Sequence, residues 1–105
     1  MEKIIKDFAK AWETLNPELI IMHLSEDFQY DSQWVLESLD CNGYINYLRS
    51  KFCTIKKSGE HIDVEIVEDP YMGGKMLRLH QSGEFGFYRI KVMNGMVVKA
   101  DMCMF

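Results

Sequence analysis

The groups in this sequence able to trade protons near neutral pH are three histidines, His23, His61 and His80, set among carboxylates and three thiols. His80 alternates with Arg78 and Met76 along one run, opposite Leu77 and Leu79. Alternation sends the two sets to opposite faces of a strand without saying which face is inside. With Arg78 and His80 inside, a cavity gains a cation and a titratable group suited to an anionic ligand. With Leu77 and Leu79 inside, the polar pair faces solvent or a partner. Asp31 is a candidate base beside Ser32, whereas Asp101 falls on the outward side of its run, with Val97, Lys99 and Cys103. His23 and His61 read as solvated residues.

Other chemistries lack their residues. No Gly-x-Gly-x-x-Gly, phosphate loop, Gly-x-Ser-x-Gly elbow or His-Glu-x-x-His motif occurs. Gly73-Gly74-Lys75 sits in a hairpin with no helix after it. Cys41, Cys53 and Cys103 match neither a disulfide framework nor a zinc-ligand pattern, so free thiols in a reducing cytosol are expected, with no metal and no cofactor. Cys53 reads as a buried, inert thiol.

Aromatic and thioether residues give the second set of candidates. Trp12, Tyr30, Ser32, Trp34, Phe52, Tyr88 and Met102 are expected around an interior pocket, together with Arg78 and His80. Tyr and Trp bring polar handles that need partners when buried. Eight methionines suit either an adaptable apolar lining or plain core filling.

These residues must be positioned by helices first and strands last. Ile4, Ile5, Phe8, Ala11, Trp12 and Leu15 recur at helical spacing. Asn16-Pro17 opens a short second helix ending near Leu24 or Ser25. Phe28, Tyr30 and Ser32 alternate as a strand, and residues 35–39 form a second short one. Asp40 caps a third helix with Tyr44, Ile45, Leu48, Phe52 and Ile55 on one face; Lys56 and Lys57 suit its C-terminal end, and Gly59 stops it. Ile62, Val64 and Ile66 alternate against Asp63 and Glu65. Runs near 75–82, 84–93 and 95–105 complete a meander, with Asn94-Gly95 a hairpin signal. On the last run, Met96, Val98, Ala100, Met102 and Met104 are expected inside. On the one before it, Gly86, Tyr88, Ile90 and Val92 point inward, leaving Phe85, Phe87, Arg89 and Lys91 outside.

The ordered signals of the front half, Phe8-Ala9-Lys10-Ala11-Trp12, Asn16-Pro17-Glu18, Ser25-Glu26-Asp27 and the aromatic run Phe28 to Trp34, resemble the nuclear transport factor 2-like superfamily. That superfamily includes ketosteroid isomerases, scytalone dehydratase and SnoaL-type cyclases. The resemblance implies an α+β fold of order ααββαββββ over residues 1–105 as one domain. A strongly curved, mainly antiparallel sheet would wrap the N-terminal helices and one further helix, a cone with an interior pocket. Ketosteroid isomerases place a tyrosine on the first helix, an aspartate base at the end of the first strand and a protonated aspartate later. Aligned through Leu15-Asn16 and Glu26-Asp27, these positions hold Ala11, Ser32 and Phe87 or Tyr88. None of the three groups is retained. A dehydratase-like His/Asp pair is not marked by any spacing.

Composition bounds the function. The chain has 105 residues, is 48% hydrophobic and carries a net charge of −4, with no basic stripe, so nucleic-acid binding lacks its electrostatic footprint. No apolar run reaches the ~18 residues of a membrane span. The leading expectation is a SnoaL-like domain that binds a small apolar or planar molecule, without an assignable reaction. An isomerase, dehydratase or cyclase using His80 or Asp31 is the alternative. A dimeric interaction module pairing through the outer sheet face (Phe85, Phe87, Arg89) is the second.

Overall fold

A computed structural model describes residues 2–32, 37–71 and 73–104. Three helices and six strands follow one another as α1 (Glu2–Thr14), α2 (Glu18–Ile21), β1 (Leu24–Ser32), β2 (Leu39–Asp40), α3 (Cys41–Ser58), β3 (Asp63–Glu68), β4 (Lys75–Gln81), β5 (Glu84–Met93) and β6 (Met96–Met104). The strands form one open sheet in the order β2-β1-β6-β5-β4-β3. Its pairings are antiparallel except β1 with β6, which is parallel. The helices cover one face of this curved, mainly antiparallel sheet, giving the expected α+β architecture.

Local chemistry explains the boundaries. The α1 helix ends with Leu15 at φ +55, and the amide of Asn16 reaches back to the Ala11 carbonyl at 2.9 Å. This is the backbone pattern that usually takes glycine, here adopted by a leucine whose side chain is buried. Asn16 Oδ1 accepts from the Glu18 amide at 3.2 Å, but α2 is one turn long and stops at Ile21. The α3 helix starts where Asp40 Oδ1 accepts from the Gly43 amide at 2.7 Å and stops at Gly59, whose φ is +75. The second short strand is Leu39–Asp40; residues 33–36, and with them Trp34, lie outside the described residues.

Aromatic packing fills the space between helices and sheet. Phe8, Phe28, Phe52, Tyr44 and Tyr88 are all 2% exposed or less. Removing a phenylalanine side chain from water contributes roughly 1.5–3 kcal/mol. Trp12 meets Phe52 edge-on, with ring centroids 4.8 Å apart, and sits 5.8 Å from Tyr88. Trp12 and Phe52 therefore plug the core, where the sequence suggested a pocket lining.

One strand decides an open choice of face and another corrects an expected one. On β4, Leu77 and Leu79 join the core, while Arg78 and His80 stand on the outer face. Cross-strand partners agree: Arg78 lies opposite Phe87 and His80 opposite Phe85. On β6, Lys99 pairs with Lys91 but Val97 pairs with Val92, so Val98 is an inserted residue. That bulge reverses the alternation upstream of it. Val97 is fully buried and Met96 is 38% exposed, the opposite of a simple period-two assignment, while Ala100 and Met102 stay inside.

The two sheet edges differ. β2 has only two residues, whereas β3 bears Asp63, Glu65 and Glu68.

Candidate functional site

On its inner side the sheet borders a small cavity, about 160 Å³, between α3 and the strands. Tyr30 from β1 and Tyr47 from α3 form one wall. Ile62, Leu79 and Met102 supply apolar surface, with Gln81 and Glu84 at the β4–β5 turn. Lys51 completes the lining one helical turn after Tyr47, a spacing that puts both on one face. Its Nζ lies 5.9 Å from the Tyr47 ring centroid.

Burial sets the electrostatics here. It pushes the Tyr30 phenol far above its ordinary range, with the neighbouring Ser32 hydroxyl partly opposing. Burial also raises Tyr47, again partly offset, in this case by its hydrogen bond with Tyr30. Lys51 moves the other way: desolvation lowers its pKa, because it disfavours the charged ammonium. No carboxylate among the described residues lies within 4.0 Å of Lys51 Nζ. Behind this cavity, Tyr30 stacks on Tyr44 at 4.4 Å, and the Tyr44 and Tyr88 hydroxyls share a hydrogen bond of 2.6 Å. Both of those phenols are fully buried, and burial raises both above the ordinary range.

The candidate residues thus separate. Tyr30 and Met102 line the cavity, and Ser32 supports Tyr30. Tyr88, Trp12 and Phe52 belong to the packed interior. Arg78 and His80 are corrected to the outer face. There His80 stacks on Phe85 at 4.5 Å, and Arg78 pairs with Glu65 at 2.7 Å. A groove of about 650 Å³ along β3 includes both residues, together with Glu13 of α1 and Ile62. Its Arg78 charge is already met by Glu65. Asp31 lies at the end of β1, 3.5 Å from Lys99, and its carboxyl is held below the usual range, chiefly by a hydrogen bond from Ser38. A carboxylate so stabilised is a poor base, and it does not line the interior cavity.

Tyr47, Lys51, Gln81 and Glu84 were not among the sequence candidates. Only the Tyr47/Lys51 spacing beside the apolar stripe of α3 hinted at them. His23 was also misread. It follows α2, is half-buried, and bonds Asp7 Oδ2 at 2.8 Å. Cys53 is exposed, contrary to the buried thiol expected. Among the described residues, no group of three or more His, Cys, Asp or Glu side chains could hold a metal ion.

No family model matches the sequence, and no curated protein matches it. Solved structures do match its fold. A SnoaL-like protein of unknown function from Burkholderia thailandensis superposes with a TM-score of 0.78 at 14% identity, over 99% of this chain and 92% of that one. The chain has the nuclear transport factor 2-like fold. A nuclear transport factor 2-like protein of unknown function from Mesorhizobium loti agrees, with a TM-score of 0.75 at 12% identity over 99% and 89% of the two chains. A protein described as a putative ketosteroid isomerase from Kribbella flavida gives 0.65 at 14% identity over 96% and 74%. At these identities the likeness extends to the nuclear transport factor 2-like fold alone, and the neighbours assign no specific reaction. The positions aligned to the isomerase groups, Ala11, Ser32 and Phe87 or Tyr88, carry no carboxylate.

Proposed function

We propose that this protein binds a small, planar, largely apolar molecule in the cavity between α3 and the inner sheet face. The observation that carries this reading is that cavity itself. About 160 Å³ stays open beside two phenols and a lysine that has no carboxylate within 4.0 Å among the described residues. A packed core rarely leaves voids larger than a water molecule, and polar groups converging on one are a ligand-site signature. Thermal denaturation against a library of single-ring fragments tests it. A ligand at 100 times its dissociation constant adds about 2.7 kcal/mol to the folded state. Met102→Phe, which fills the space, should remove that response and leave the free protein folded. No shift with any fragment rejects the reading.

The outer face supports a second property, self-association. Phe85 is 42% exposed, flanked by His80 and by Arg78, whose guanidinium lies 5.6 Å from its ring. Phe87 shares a cleft with Met76, Tyr71, Arg89 and Cys103. An apolar strip with a cationic margin suits a homodimer joined sheet to sheet. Cys41, Cys53 and Cys103 are free thiols, which supports the cytoplasmic setting expected from their number and spacing. No helix among the described residues is long and apolar enough to cross a membrane.

A further inference from the structure

We infer that the ligand of this cavity is a single-ring planar carboxylate whose acid group is held by Lys51 with one hydroxyl of the Tyr30–Tyr47 pair. The inference rests on the binding reading above and adds the ligand's size and charge. Size comes first. Sites for drug-sized ligands span about 300–1,000 Å³, while an engineered apolar cavity of about 150 Å³ takes benzene. At about 160 Å³, this space accepts one ring with a small substituent.

The polar lining sets the charge. Tyr30 and Tyr47 are held as neutral phenols by burial and share a hydrogen bond, so one hydroxyl proton of the pair stays available to a ligand. Lys51 offers three N–H donors and has no acidic partner within 4.0 Å among the described residues. Its aromatic neighbour is the Tyr47 ring, whose centroid lies 5.9 Å from Nζ. Gln81 is tied to Glu60, and Glu84, an exposed residue at the turn, is the one acidic side chain lining the space. The remaining lining, Ile62, Leu79 and Met102, is apolar and suits a ring. Among the other cations on the sheet, Arg89 is engaged by Asp69 at 2.7 Å and Lys99 by Asp31 at 3.5 Å, while Lys91 is exposed to solvent. A half-buried ammonium without a counter-ion, in a chain of net charge −4, is the group that gains most from an incoming anion.

Calorimetric titration of the full chain with benzoate, benzamide and 2-naphthoate tests each element. Benzoate should bind about tenfold more tightly than benzamide, the neutral near-isostere, because charge assistance is worth roughly that factor. Lys51→Met should lower benzoate affinity about tenfold and so abolish the difference from benzamide. Glu84→Gln, an exposed substitution that does not threaten folding, should widen the preference for benzoate over benzamide. 2-Naphthoate should bind more weakly than benzoate. Equal affinity for benzoate and benzamide would overturn the carboxylate assignment while sparing the binding reading. Tighter binding of the two-ring acid would overturn the size limit. Failure of all three to bind at millimolar concentration, while other neutral fragments raise the melting temperature, would also reject the carboxylate; silence from every fragment rejects both.

Discussion

Tyr44 Oη and Tyr88 Oη lie 2.6 Å apart at the centre of the core, 44 residues apart in sequence and shielded from solvent. One hydroxyl donates and the other accepts, tying α3 to the inner face of β5. Tyr44→Phe or Tyr88→Phe each strands a buried hydroxyl, at a cost of about 1–3 kcal/mol. The double replacement removes both partners, so its cost should fall clearly below the sum of the singles. Urea unfolding of the four proteins measures this; strict additivity would show that the hydroxyls do not interact in solution.

Asp69 and Arg89 form the other deep polar contact. The Asp69 side chain is 3% exposed, Arg89 Nε donates to its Oδ2 at 2.7 Å, and the Tyr71 amide donates to its Oδ1 at 2.9 Å. Arg89→Met removes the guanidinium from a carboxylate that is shut away from water, and should cost about 3–5 kcal/mol. Asp69→Asn leaves the amide bond to Tyr71 possible and Arg89 partly solvated, so it should cost less. Chemical denaturation that ranks the two variants the other way would contradict this account.

The Asp7–His23 contact makes stability depend on acid. Asp7 is held below its usual pKa, mainly by the hydrogen bond from His23, with burial opposing and Lys3 assisting. A depressed carboxyl pKa means stabilisation that is present above the unfolded value and lost as pH falls through the folded one. Asp7→Asn should therefore cost about 1 kcal/mol at neutral pH, in the range of a single hydrogen bond. The gap in melting temperature between wild type and variant should close as pH drops below 3.8. A gap that persisted in strong acid would place the effect in packing instead.

If the outer face makes a dimer, Phe87→Lys puts a charge into its apolar strip. Sedimentation equilibrium should then show association weakened by roughly 1–3 kcal/mol in favour of monomer, the scale of an interface anchor. A wild-type protein that sediments as a monomer across the micromolar range would end the proposal.

Much of this fold was legible because local rules acted without interference. Asp40 and Gly59 bracket α3 as their types require, and Asn94-Gly95 turns with both residues at positive φ. The faces of β5 also follow plain alternation. On β6, alternation failed because Val98 is an extra residue, and a bulge has no mark in a run that is apolar on both sides. β4 was ambiguous because Met76 and Leu77 are adjacent, apolar and both buried, one on each face. The site was harder. Lys51 and Tyr47 belong to an amphipathic helix whose edge residues look solvated until β1 and β4 are placed against them. His23 meets Asp7 only because the chain turns back after one turn of α2, a contact between residues sixteen apart that no short motif encodes.

The acidic edge of β3 opposes edge-to-edge pairing between copies of this chain. A sheet face that pairs with its twin by a two-fold axis is used up in one step, whereas an edge strand that recruits another copy exposes a fresh edge each time. Here the run Asp63-Val64-Glu65-Ile66-Val67-Glu68 sets like charges against any copy of itself. Glu65→Val would leave four adjacent β-forming apolar residues, 64–67, on the open edge. A single carboxylate, on the outer face of the edge strand, is thus the barrier between this sheet and open-ended growth.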